Sequence, residues 1–256
     1  MTAVHCPAAP VGIGFERSIL TKGGLRIDPY IWVLDLSSEF NMSKISNIST
    51  IPQIMGYKKS PEMPWVDEGI MWAARNGSIY ETGGYVAPWT SGPIKDPPSR
   101  RQAVWSFNPT TGEWGLVQTN GDYIDRVSQA AYASAPNLDL HFSIGGITTR
   151  QHQAENTDYP QFDGAKVNNG MTIFNSSSLS LRNRTLEDLA QQTNTMPARK
   201  NGWCTYIPVG ARGMLVCHSR CTGPRDGQYI YDMFSSPDED KTLNVCSPLK
   251  SLRCSR

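Results

Sequence analysis

The sequence predicts a mainly β fold assembled from repeated, locally paired antiparallel sheets. Three observations carry that prediction. Residues Gly69 to Gln118 divide into four short strands joined by three connections of unequal length, the plan of one antiparallel sheet. The chain holds 22 Gly and 18 Pro in 256 residues, with Ser and Asn in short runs, which suits many turns between short strands better than long helices. A Gly-Gly pair begins at Gly23, Gly83 and Gly145, a near-constant spacing of about 60 residues that marks stacked copies of one supersecondary unit.

The unit from Gly69 to Gln118 is read first because its signals are cleanest. Its first strand, Gly69 to Ala74, alternates Ile70 and Trp72 with Met71 and Ala73. Asn76-Gly77 follows, a hairpin signal whose type I′ form needs φ > 0 at both central residues. The second strand, Ser78 to Thr82, ends at Gly83 and Gly84, and paired glycines there suggest backbone packed too closely for a side chain. A polar loop, Tyr85 to Arg101, leads to a third strand, Gln102 to Phe107. The turn Asn108-Pro109-Thr110-Thr111-Gly112 then precedes a fourth strand, Glu113 to Gln118, carrying Trp114 and Val117.

This order of strand, diglycine, loop, aromatic strand, N-P-x-T-G-x-W turn and strand resembles a kelch repeat, the blade of a β-propeller. Its anchors are Gly83, Gly84, Trp105 and Trp114. Upstream, Gly23 and Gly24 precede Trp32 in a strand closed by Asp35-Leu36-Ser37-Ser38. Downstream, Gly145 and Gly146 precede Met171 to Phe174 in the aromatic-strand position, with Asn175-Ser176-Ser177 as its turn. A fourth unit is degraded, with Trp203 to Ile207, Met214 to Cys217 and Tyr229 to Met233 as strands and Cys217-His218 where glycines are expected. The resemblance is nearest to long-looped kelch proteins of filamentous fungi.

The expected organisation is a leader over 1–18, blades at about 19–46, 69–118, 128–184 and 202–234, and a disordered tail over 235–256. Met42 to Pro64 reads as an interblade connection. Thr119 to Arg126 reads as the next crossover, with turn chemistry at Asn120-Gly121-Asp122. Ile147 to Asn169 reads as a long loop, and Thr185 to Gln192 as one short helix. Closed kelch rings use about six or seven blades, so four units imply an open arc whose uncovered faces invite self-association. That shortfall suggests a truncated or divergent gene product.

Composition narrows the function classes. Apolar content of 39% with 18% charged residues is ordinary for a globular chain, and a net charge of +1 supplies no field for nucleic acid. No apolar run approaches the ~18 residues that span a bilayer. The start of the chain lacks the basic and apolar regions of a signal peptide. The sequons at Asn41, Asn47, Asn76, Asn175 and Asn183 are acceptor patterns of a kind that chance supplies in a chain this rich in Asn, Ser and Thr, whereas the resemblance implies a secretory or membrane-tethered origin, so the sequence leaves localisation open.

Chemistry-bearing sets are sparse. Cysteines at 6, 204, 217, 221, 246 and 254 match no strong zinc spacing, and Cys217-His218-Cys221 has no second ligand pair nearby. Cys204 and Cys217 fall on adjacent predicted strands, which leaves a cross-strand disulfide open in an exported protein. The four histidines, His5, His141, His152 and His218, do not recur at matching blade positions, which argues against the copper-radical chemistry of some related propellers. The sequence carries no G-x-S-x-G elbow and no phosphate-binding Gly loop. The expectation is a non-enzymatic scaffold with no metal and no cofactor, which binds a protein or glycan partner through its loops. Candidate contacts are Tyr85, Trp89, Arg100, Arg101, Arg126, Arg150, Tyr159 and Arg199, because arginine and aromatic groups concentrate interface energy. The alternative is an accessory factor or enzyme of a specialised fungal pathway that holds a small molecule in the axial cavity.

Overall fold

The computed structural model describes residues 12–15, 18–21, 24–27, 30–35, 54–63, 66–86, 102–148, 166–168, 170–185, 199–209, 213–221, 229–235 and 244–246. Local hydrogen bonds explain why the second sheet forms where its turn residues fall. Its strands are β6 (Val66–Ala73), β7 (Ile79–Val86), β8 (Val104–Asn108) and β9 (Glu113–Val117), paired in that order as an antiparallel meander. At the β6–β7 turn the Gly77 N–H bonds the Ala74 carbonyl at 3.1 Å and the Ala74 N–H bonds the Ser78 carbonyl at 2.9 Å. Gly77 has φ 83°, whereas Asn76 is absent from the positive-φ residues. The turn is therefore the three-residue type with a left-handed glycine, not type I′. At the β8–β9 turn, Asn108 Oδ1 accepts the Thr110 N–H at 2.9 Å, the side-chain mimicry that makes Asn a turn starter.

The third sheet repeats the plan. Its order is β11 (Ala131–Ala135), β12 (Leu140–Ile144), β15 (Gly170–Asn175) and β16 (Ser180–Thr185), with Asn175 Oδ1 capping the last turn through the Ser177 and Ser178 N–H groups. A fifth strand, β10 (Asn120–Gly121), joins the outer edge in parallel with β16. The connection read as one long loop opens with a ladder of its own, β13 (Ile147–Thr148) against β14 (Lys166–Val167).

The flanking sheets depart from the sequence reading. The first contains β1 (Gly12–Phe15), β4 (Tyr30–Asp35) and β5 (Ile54–Lys58), so one strand lies in the expected leader and another in the expected interblade connection. Between them β2 (Ser18–Thr21) and β3 (Gly24–Ile27) form a hairpin, with Gly24 opposite Thr21. Gly24 thus opens a strand beside a hairpin turn and is not the counterpart of Gly83 or Gly145; Gly23 lies outside the described residues. The fourth sheet has β17 (Arg199–Ile207), β18 (Met214–Cys221), β19 (Tyr229–Ser235) and β20 (Asn244–Cys246). Its last strand falls in the segment expected to be disordered, where only three residues pair and no apolar period announces them. Of the expected short helix, Thr185 ends β16, and the rest lies outside the described residues.

Period-two alternation sends the two faces of each sheet into different cores. Ile79 and Phe107 face the first sheet, packing with Ile31 and Val33 and with the half-buried Trp114. From the opposite face of the second sheet, Ile70, Trp72, Tyr80 and Val104 meet Phe174 and Leu181 of the third. The third sheet's other face, with Ala133, Phe142, Ile144, Met171 and Ile173, meets Leu215 and Cys217 of the fourth. Four sheets are therefore stacked in series through three cores. Among the described residues no hydrophobic cluster joins the first sheet to the fourth.

Candidate functional site

One crossover, Arg126 to Ser128, passes between the diglycine ends of the second and third sheets and bonds to both. The Gly84 N–H donates to the Val127 carbonyl at 2.8 Å. Ser128 and Ile147 exchange two backbone bonds at 3.0 and 2.9 Å, immediately after Gly145-Gly146. This backbone strap explains the glycines sterically. A Cβ on Gly83, which has φ +72°, would strike the Val127 carbonyl oxygen, and one on Gly146 would come within 2.6 Å of the Ser128 carbonyl oxygen. The strap is thus bonded two residues or fewer before the last described residue that precedes each long connection, Val86 and Thr148. The Gln102 N–H bonds the Ile124 carbonyl at 2.8 Å just upstream of the strap.

Beside the strap lies a cavity of about 10 Å³ lined by Met63, Val66, Glu81, Thr82, Gly83, Ala103, Trp105 and Arg126. That volume holds a single water-sized occupant. Its chemistry comes from charges placed in a core register. Glu81 follows Ile79 on the face of β7 that packs towards the first sheet, and it bonds Lys59 Nζ at 2.7 Å with both side chains fully enclosed. Burial pushes the Glu81 carboxyl up from its ordinary value, and the Lys59 ammonium opposes that rise. Arg126 is 3% exposed, and burial alone lowers its pKa to about 10. Its Nη1 finds no hydrogen-bond partner, and neither do Glu81 Oε2 or the Trp105 indole N–H.

The remaining candidate residues are dispersed. Tyr85 belongs to β7 with its backbone opposite Asp67, and Arg199 opens β17 opposite Cys221, so neither stands on a free loop. Arg126, expected on an exposed crossover, is instead buried within the strap. Trp89, Arg100, Arg101, Arg150 and Tyr159 lie outside the described residues. Trp32 is half-buried in β4, Trp105 is buried on β8, and Trp114 is half-buried on β9. Sequence reasoning passed over Lys59 and Glu81. The usable signal was Glu81 itself, a carboxylate at an inward position of an otherwise apolar strand face, which demands a buried partner.

A second polar group sits in the core between the second and third sheets. His141 is fully buried, stacked at 5.8 Å on both Trp72 and Phe174, with Nδ1 3.1 Å from Ser134 Oγ. Burial lowers its pKa to about 4, so the ring is neutral at pH 7. No group of three or more His, Cys, Asp or Glu with metal-binding geometry occurs among the described residues. No helix among them is long and apolar enough to cross a membrane.

No protein-family model and no curated protein matches the chain. Solved structures do. The structure of YjhT superposes with a TM-score of 0.52 at 12% identity, covering 96% of this chain and 68% of that one. TolB from Acinetobacter baumannii gives a TM-score of 0.34 at 8% identity, covering 86% of this chain and 49% of that one. The YjhT match, with four serially packed antiparallel sheets, makes the fold a β-propeller.

Proposed function

We infer that this chain is a kelch-type propeller scaffold that holds a protein or glycan partner with its loops and performs no reaction of its own. The observation that supports this reading is the shared strap: the connections 87–101 and 149–165 depart from equivalent diglycine ends of adjacent sheets, both tied to Arg126–Ser128. Loops anchored on a rigid scaffold are the usual carriers of recognition. These two contain Trp89, Arg100, Arg101, Arg150 and Tyr159, residue types that dominate interface energetics. The alternative, a small organic molecule held by the propeller, gains little from the described cavity, whose 10 Å³ suits a water or a monatomic ion.

The test uses the full chain immobilised against a glycan panel and against host-cell extract, with each captured protein purified and its affinity remeasured. A Trp89→Ala/Arg100→Ala/Arg101→Ala variant with an unchanged melt should lose at least roughly tenfold in affinity, about 1.4 kcal/mol. Full retention of binding by that variant overturns the loop assignment. Thermal stabilisation by an organic ligand, with no macromolecule captured, overturns the scaffold reading.

A further inference from the structure

We propose that the cavity beside the strap is a binding site for a small monovalent anion of the halide class, with Arg126 as its charged anchor. This proposal is independent of partner docking and rests on charge accounting around the cavity. Lys59 and Glu81 neutralise each other at 2.7 Å, both enclosed. Arg126 is 3% exposed, and no described residue forms an ion pair or hydrogen bond with it, so its guanidinium is a buried positive charge without a described counterion. An isolated buried charge is among the least favourable arrangements in a protein interior, whereas an anion against the guanidinium converts it into a pair.

The walls define which anion fits. Trp105 also lines the cavity, and its indole N–H is a buried donor without a hydrogen-bond partner. Met63, Val66 and Ala103 line it with apolar surface, and Gly83 contributes backbone without a side chain. A volume of about 10 Å³ admits one atom-sized occupant and excludes sulfate, phosphate and carboxylate ligands. Weakly hydrated monovalent anions lose least on entering such a site. The Glu81 carboxylate lines the same cavity with Oε2 lacking a hydrogen-bond partner, and its repulsion of negative charge penalises divalent anions more than monovalent ones. The bound ion would lock Arg126 and, through the adjoining Val127 and Ser128 carbonyls, the strap that positions both diglycine ends.

The experiment measures the melting temperature of the full chain at constant ionic strength while sodium gluconate is exchanged for sodium chloride or bromide. Binding to the folded state alone should raise the midpoint with the logarithm of halide concentration above Kd, by roughly 5 to 10 °C at a hundredfold excess over Kd. In Arg126→Met the halide dependence should vanish. In Trp105→Phe, which keeps an aromatic ring and removes the N–H, the rise should begin at higher halide concentration. That second variant decides the matter if Arg126→Met does not fold. A bromide anomalous peak beside Arg126 in crystals would agree. A wild-type midpoint indifferent to halide, or an equal halide response in both variants, overturns the site and leaves a water in its place.

Discussion

The junction between the second and third sheets and the junction between the third and fourth achieve cohesion by different means. At the former, large rings interlock: Trp72 stacks on Phe174 at 5.8 Å and 11°, Tyr80 meets Phe174 edge-on at 5.0 Å, and the Trp72 indole N–H donates to the Phe142 carbonyl at 3.0 Å. A backbone strap then ties the two sheets at their diglycine ends. The latter junction packs mainly aliphatic groups, Ala133, Ile144, Met171 and Ile173 beside Phe142, against Leu215 and Cys217, and the Cys204–Cys217 disulfide joins directly opposed residues of β17 and β18. Beyond it, Trp203 on the other face of β17 is 54% exposed. Glycine pairs therefore mark a crossing backbone, and the covalent staple ties two strands within one sheet.

Removing an interlocking ring should break the comparison hardest. Trp72→Ala is expected to lose ~3–5 kcal/mol, from the cavity left behind and the orphaned Phe142 carbonyl, measured by denaturant unfolding. A loss under ~1 kcal/mol would mean that the aromatic stack does not hold the two sheets together. The disulfide comes next. It closes a separation of 13 residues, so Cys204→Ala/Cys217→Ala or reduction should remove ~3 kcal/mol. Hydrogen exchange should show the loss in β17 and β18 first, with β7 and β12 still protected. Simultaneous loss of protection in all four strands would make the two junctions one cooperative unit.

A third prediction titrates the aromatic junction. His141 has a pKa of about 4 when folded against an ordinary 6.5, so the unfolded chain binds more protons between those values. Stability should fall as pH drops from about 6.5 to 4, by on the order of 3 kcal/mol, because protonation is deferred in the folded state. Glu81, whose carboxyl is raised, acts in the opposite direction, so the informative quantity is the difference between the native chain and His141→Phe. Parallel pH profiles for the two would contradict a buried neutral imidazole.

Legibility followed how local the cause was. The second sheet was readable because Asn76-Gly77 and Asn108-Pro109-Thr110-Thr111-Gly112 make their bonds within a few residues of themselves. Gly83 and Gly84 were readable as a close approach, but not its source, since Val127 is more than forty positions along the chain. Gly24 misled because a strand beginning beside a hairpin turn favours the same residue as a strand end crossed by a strap. The buried Lys59, Glu81 and Arg126 were invisible as a group. Charges are normally solvated, and only the meeting of two sheets and a crossover encloses these three. Strands β10 and β20, of two and three residues, are too short for any period to show.

The strap is the central claim, and paired alanine substitutions test it most directly. Gly83→Ala meets the Val127 carbonyl and a positive φ, whereas Gly115→Ala, in strand β9 of the same sheet, meets only Ser106 Oγ at 3.5 Å. Melting both variants beside the native chain should show Gly83→Ala less stable than Gly115→Ala by about 2 kcal/mol, the scale of backbone strain at such a position. Equal midpoints for the two variants would mean that no backbone presses on the diglycine, and the strap would not be what organises these sheets.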